Sequence, residues 1–209
     1  MSRLRPSRRT LIKCGVFFLL AFIAYICFLF IDNNFDLNIL QAISKIRNPV
    51  LNVNMHAFTL LGNVYGVIFV CLLSLLKKDP VKFTLPLTFT VLISWGLNEF
   101  IKDIVERARP SEPLRILIEH SFSFVSGHAM NNMALYLMAF LLLRKEYGSK
   151  KVWWLLLFPP IIAFSRLYFA VHYLTDVIAG LCIGVMVVMI CYAITKHYFY
   201  KEEKVICKH

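Results

Sequence analysis

Acidic residues are scarce in this chain: 12 Asp and Glu stand against 23 Lys and Arg in 209 residues, and charged side chains of both signs make up only 17%. The acids in its loops, Asp103, Glu106, Glu112 and Glu119, have no ligand-like spacing, which argues against a two-metal centre. Cysteine offers no metal site either, since the six present form no CxxC and no Cys/His pattern of the zinc type. Internal repeats and low-complexity tracts are also lacking. What fills the chain instead is apolar: 59% of its residues, with a mean hydropathy of +0.67. Both values lie outside the range of ordinary soluble domains.

The apolar residues fall into six runs of about 18 residues or more, each long enough for a hydrocarbon core roughly 30 Å thick. They cover residues 14–31, 55–76, 83–101, 126–143, 152–169 and 177–195. The expected fold is an all-α membrane protein, six transmembrane helices in a bundle. The opening "MSRLRPSRR" has the charge of a signal-peptide n-region. The run behind it is too long, however, and no small-residue cleavage site precedes "DNNFD", so it is expected to remain as a helix.

The net charge of +11 follows the membrane, so nucleic acid is not the expected partner. With a cytoplasmic N-terminus, sixteen of the 23 basic residues lie inside, in residues 1–13, around Lys77 and Lys82, at 144–151 and in the C-terminal tail. Seven lie outside: Lys45, Arg47, Lys102, Arg107, Arg109, Arg115 and Arg166. This bias predicts that both termini are cytoplasmic. The chain then divides into a basic N-terminus (1–13), a six-span unit (14–195) and a cytoplasmic tail (196–209). On this topology no cysteine faces outward, because Cys14, Cys27, Cys71, Cys182 and Cys191 fall in spans and Cys207 in the tail; outer disulfides are excluded.

Between the first two spans, Leu37, Ile39, Leu40, Ile43 and Ile46 recur at helical spacing, predicting a short interfacial helix stopped by Pro49. The short basic turns "KKDPVK" and "RKEYGSKK" predict antiparallel hairpins. Pro86 and the pair Pro159–Pro160 predict bends in the third and fifth spans, and Trp153 and Trp154 read as interface anchors.

Three polar stretches interrupt this pattern on one side of the expected bundle. In "KDIVERARP", Lys102 and Arg109 are seven residues apart, so a continuing helix would carry both on one face about 10 Å apart. In "FSFVSGH", Ser126 and Gly127 precede a long helical run and predict a helix N-terminus with free N–H groups for an anion, beside His128. In "SRLYFAVHYLTD", His172 and Asp176 are four apart, the spacing that lets a carboxylate orient an imidazole. Arg166 can return across the turn as a fork of donors for phosphate oxygens. Each stretch alone has an ordinary account: a snorkelling helix end, a routine helix start, a buried ion pair. Their joint occurrence is far more specific. His56, His120 and His197 have no partner at useful spacing and read as interface or loop histidines.

In that order, "KDIVERARP", "VSGH" and "SRLYFAVHYLTD" resemble the three signatures of the membrane-bound type 2 phosphatidic acid phosphatases, with Val125 standing where the family usually has proline. The resemblance runs from the first span to the sixth. It implies His172 as nucleophile, forming a phosphohistidine, with Asp176 holding its ring and His128 protonating the leaving oxygen and then activating water. Lys102, Arg109, Arg166 and the backbone at Ser126 and Gly127 would hold the phosphoryl oxygens. The activity implied is a metal-independent lipid phosphatase without cofactors, in the cell membrane with its site on the extracytoplasmic side. Phosphatidylglycerophosphate, phosphatidic acid and polyprenyl diphosphates all suit such a site. Two alternatives use the same residues: transfer of the phosphoryl group to another lipid or sugar, and non-catalytic binding or transport of anionic lipids.

Overall fold

The computed structural model describes residues 8–29 and 34–199. The expectations for Arg3, Arg5, Cys207 and the tail beyond Phe199 lie outside the described residues. The architecture is all-helical, with no strand among those residues. The helices are α1 (Arg8–Leu29), α2 (Asn34–Ser44), α3 (Pro49–Leu61), α4 (Val64–Leu73), α5 (Pro80–Val105), α6 (Gly127–Tyr147), α7 (Ser149–Val152), α8 (Phe158–Tyr168) and α9 (Leu174–Phe199). Short 3₁₀ turns extend α4 at Ser74–Leu76 and join α7 to α8 at Trp153–Leu157.

Among the described residues, three segments are long and apolar enough to cross a membrane: Ile12–Leu29, Pro80–Val105 and Leu174–Phe199. A fourth arises if Pro49–Leu61 and Val64–Leu76, bent by 59° at their junction, count as one. Local chemistry explains the break: Asn63 caps the second piece, its side chain accepting from the Gly66 N–H at 3.0 Å. Pro49 does not stop the interfacial helix, which ends at Ser44; it starts α3, in the first turn where its missing N–H costs nothing. Asn48 caps that helix through a 2.9 Å bond from Leu51 N–H. Within residues 152–169 the prolines do not bend a continuous α-helix. Pro159 and Pro160 sit in the first turn of α8, after a 3₁₀ turn that carries the exposed Trp153 and Trp154.

Helix α6 is the centre of the bundle, packed between α5, α8 and α9. Its apolar residues face several neighbours, with Met130, Ala134, Leu135 and Met138 all sealed from solvent, as expected of a helix that is apolar around its circumference. Where α9 crosses its N-terminal turn, a Cβ on Gly180 would lie 2.8 Å from the Ser126 carbonyl oxygen, so glycine permits the close approach. Polar side chains tie the same region together, as is common where water does not compete. Asn132 donates to the Gly62 carbonyl at 2.8 Å, and the Thr59 and Ser165 hydroxyls meet at 2.7 Å. On the outside of the bundle Phe18, Phe22, Val53, Tyr65, Leu76 and Phe100 are more than half exposed, an apolar surface suited to lipid. The chain is an integral membrane protein.

Candidate active site

The polar stretches converge at one end of α5, α6, α8 and α9. Helix α5 ends earlier than the Lys102–Arg109 spacing suggests: Glu106 adopts a left-handed φ of 48° and the chain leaves the helix after Val105. Arg109 therefore does not share a helical face with Lys102. It reaches the same place through the loop, donating from Nε to the Ser121 carbonyl at 2.6 Å and from Nη1 to the Val171 carbonyl at 2.7 Å.

Ser126 is the cap of α6, its hydroxyl facing the Ala129 N–H at 3.5 Å, and its own N–H donates to the Asp176 carbonyl at 3.1 Å. Gly127 opens the helix against Asn98, whose Oδ1 would be 2.8 Å from any added Cβ. Asn98 also donates to the Val125 carbonyl at 3.0 Å, holding the loop that ends at this cap. Val125 itself is fully buried and joined to Phe124 by a cis peptide.

His172 lies before α9, not on it as the four-residue spacing suggests, and Asp176 is the third residue of that helix. From there Asp176 Oδ2 reaches back to the Tyr173 N–H at 2.9 Å, the reciprocal half of a capping box. The same oxygen accepts from Ser123 Oγ at 2.6 Å and lies 3.6 Å from His172 Nδ1. At that separation the contact is longer than a formed hydrogen bond, and it becomes an ion pair only when the ring gains positive charge. On the other side of the ring, Arg109 Nη1 is 3.2 Å from Nε2. A guanidinium can only donate, so Nε2 is the acceptor and the ring proton resides on Nδ1, facing Asp176.

Electrostatics agree with that tautomer. His172 is 2% exposed, and burial, reinforced by Arg109 and Arg166 against the opposing pull of Asp176, lowers its pKa to about 4. It is neutral at ordinary pH, and its Nε2 lone pair is directed at Arg109. Burial also lowers the Arg109 pKa, to about 10, which leaves it charged.

Lys102, Arg109, Gly127, His128, Arg166 and His172 line one cavity of about 500 Å³. Three of the sequence-selected side chains present buried atoms without a hydrogen-bond partner, namely His128 Nε2, Arg166 Nε and His172 Nδ1, the last facing Asp176. Lys102 is held only loosely, with Glu99 at 3.4 Å and Ser121 Oγ at 3.3 Å. Beyond this polar end the cavity continues between α4 and α5 along Val67, Ile68, Leu72, Leu75, Leu92 and Trp95. A charged head and an apolar tail would both find matching walls.

Several residues at the site were not singled out from the sequence. Glu119 ion-pairs with Arg166 Nη2, and although burial disfavours its charge, Arg166 and Arg109 outweigh that and hold its pKa below the ordinary value. Arg107 bonds the other oxygen of Asp176, and Asp36 and Thr175 complete that cluster. The doublet of arginines in "ERARP" was the one local signal for Arg107; Asp36 lies 71 residues from its partner and had none. Of the histidines set aside, His120 is exposed in the loop and His56 stands edge-on to Phe169.

Comparison with known proteins shows the family and the fold. Phosphatidylglycerophosphatase B of Bacillus subtilis (strain 168) is 37% identical over 97 residues, 43% of this chain and 47% of that protein, so the chain spans about half the length of that relative. A lipid A 4'-phosphatase of Porphyromonas gingivalis is 23% identical over 181 residues, covering 80% of this chain and 74% of the relative. Among solved structures, the transmembrane PAP2 type phosphatidylglycerolphosphate phosphatase from Bacillus subtilis superposes with a TM-score of 0.76 at 24% identity, over 91% of this chain and 98% of that one. Aquifex aeolicus LpxE gives 0.66 at 22% identity, over 78% of this chain and 97% of its own. The PAP2 superfamily model matches residues 83–200, more than half of the chain and all three polar stretches, and the chain belongs to that superfamily.

Proposed function

We propose that the chain is a lipid phosphatase that hydrolyses a lipid phosphate or diphosphate through a phosphohistidine at His172, at the extracytoplasmic end of six spans with both termini inside. The observation that carries the reading is a single cavity in which three cations and His128 surround a neutral imidazole whose Nε2 is an acceptor. Phosphoryl transfer is mostly positioning and charge stabilisation, and this cavity supplies both.

In the first step Nε2 of His172 attacks phosphorus and the bond to the lipid oxygen breaks. That oxygen leaves with the electron pair and takes a proton from His128, which enters the step as an imidazolium held in that form by the negative charge of the bound phosphate. The phosphorylated ring carries positive charge, which Asp176 offsets from the Nδ1 side. Lys102, Arg109 and Arg166, with the N–H groups at the start of α6, neutralise the phosphoryl oxygens. In the second step His128 takes a proton from water, whose oxygen attacks phosphorus. The P–N bond breaks, its electron pair returns to Nε2, and inorganic phosphate leaves. Because the charge is met by side chains, no step is routed through a metal.

The apolar continuation of the cavity favours a substrate with a hydrocarbon tail entering from the bilayer. The relatives' names include a phosphatidylglycerophosphatase, a lipid A 4'-phosphatase and sphingosine-1-phosphate phosphatases; a phosphorylated lipid is their common chemistry. The test is phosphate release from purified phosphatidylglycerophosphate, phosphatidic acid and a polyprenyl diphosphate by the natural chain and by His172→Ala. Release from at least one lipid, abolished in the variant, is expected. Equal release by both proteins, or a phosphorylated acceptor in place of free phosphate, defeats the reading.

A further inference from the structure

Behind Asp176 lie two buried charged groups, Arg107 and Asp36, that the chemistry above leaves unused. Arg107 emerges from the loop after α5, 6% exposed, between two carboxylates that are almost completely buried, Asp176 on α9 and Asp36 on α2. Its Nη1 donates to Asp176 Oδ1 and, at 2.8 Å, to Thr175 Oγ1, while its Nη2 donates to Asp36 Oδ2 at 3.0 Å. Asp36 also accepts from the Thr175 N–H at 3.2 Å and from the Thr175 hydroxyl. The guanidinium lies over the Tyr173 ring at 3.9 Å. One arginine thus binds the helix between the first two apolar segments to the start of the helix that carries Asp176.

The charge count gives this arrangement a consequence. Arg107 and Asp176 alone would sum to zero, and a carboxylate fully neutralised by a guanidinium offers little to a ring that becomes cationic 3.6 Å away. Asp36 supplies the second negative charge. With all three ionised the cluster carries one net negative charge, and Asp176 Oδ2, the oxygen not bonded to Arg107, faces His172. A buried arginine between two acids also satisfies the desolvation constraint that a lone buried charge would violate.

We infer that Asp36, acting through Arg107, is a positioning residue for the nucleophile: it keeps Asp176 electrostatically available to His172 and fixes the carboxylate's orientation. This rests on the phosphohistidine reading. Asp36 touches neither the cavity nor the reacting atoms, so it should influence turnover without influencing how phosphate is held.

The experiment uses the full-length protein in detergent and the conservative Asp36→Asn change, which keeps shape and an acceptor for Arg107 but removes the charge. Turnover of a lipid that the natural chain hydrolyses is expected to fall by about 10- to 100-fold in kcat, with KM and the inhibition constant of inorganic phosphate staying within about threefold. In an Asp176→Asn background the same change is expected to cost less than about threefold in kcat per folded molecule, since a residue acting through another loses its effect when that one is gone. The folded fraction is measured by thermal unfolding, because Arg107 then lacks both carboxylates. Three results overturn the inference: kcat within twofold of the natural chain, an equal cost in both backgrounds, or loss of phosphate binding together with turnover, which marks Asp36 as scaffold only. His172→Ala against the natural chain decides the phosphohistidine reading separately.

Discussion

Replacing Asp176 by asparagine removes one charge from behind the nucleophile while preserving its shape. The structure sets the scale of the effect. Asp176 Oδ2 is 3.6 Å from His172 Nδ1, and two unit charges at that distance in a medium of effective dielectric ~20 attract by about 5 kcal/mol. The ring is neutral before attack and cationic after it, so this attraction acts on the transition state and intermediate rather than on substrate binding. At 1.36 kcal/mol per decade the loss in kcat is about three orders of magnitude. Folding should survive, because Arg107 retains Asp36 as a partner and an amide oxygen can still accept from Ser123 or the Tyr173 N–H. The assay is steady-state phosphate release from a micellar lipid phosphate, with thermal unfolding measured on the same preparations. A folded variant that loses less than about tenfold in kcat, or loses activity through KM alone, refutes the role given to Asp176.

Other perturbations test separate parts of the site. Burial places the His172 pKa at about 4, and protonation of Nε2 removes the attacking lone pair, so kcat/KM should lose its acid limb near pH 4; a limb near 6.5 attributable to His172 contradicts the burial argument. Glu119 occupies Arg166 and competes there with a phosphate, so Glu119→Gln should lower the inhibition constant of inorganic phosphate by about 3- to 10-fold, and unchanged inhibition sinks that competition. Gly180→Ala places a Cβ 2.8 Å from the Ser126 carbonyl and should cost about 1–3 kcal/mol of stability by overpacking, visible as a lower Tm together with reduced turnover. An unchanged Tm shows that α6 and α9 can separate freely.

The parts of this site that sequence made visible are those written in local spacing. Ser126 was legible as a helix start because a small hydroxyl residue precedes a long helical run, and it does cap α6. Lys102, Arg109, His128, Arg166 and His172 were grouped by motif, and they line one cavity. Their routes to it were less legible. Lys102 and Arg109 looked like neighbours on one helix until Glu106 turned left-handed, a conformation that no glycine or asparagine announced. The His172 and Asp176 spacing fits a helix, yet the helix begins between them at Leu174. Pro49 reads in the sequence as a stop and is in the fold a start, since proline ends one element and opens the next with the same restricted φ. Arg107 and Asp36 were invisible for a different reason: their pairing depends on α2 lying against α9, a tertiary arrangement with no period in sequence.

The most direct test is capture of the covalent intermediate. The natural chain, mixed with a lipid carrying labelled phosphate and quenched in alkali within one turnover, should yield a base-stable, acid-labile label on a peptide containing His172, and His172→Ala should yield none. Label on any other residue, or full turnover without His172, contradicts a phosphoryl group passing through that imidazole.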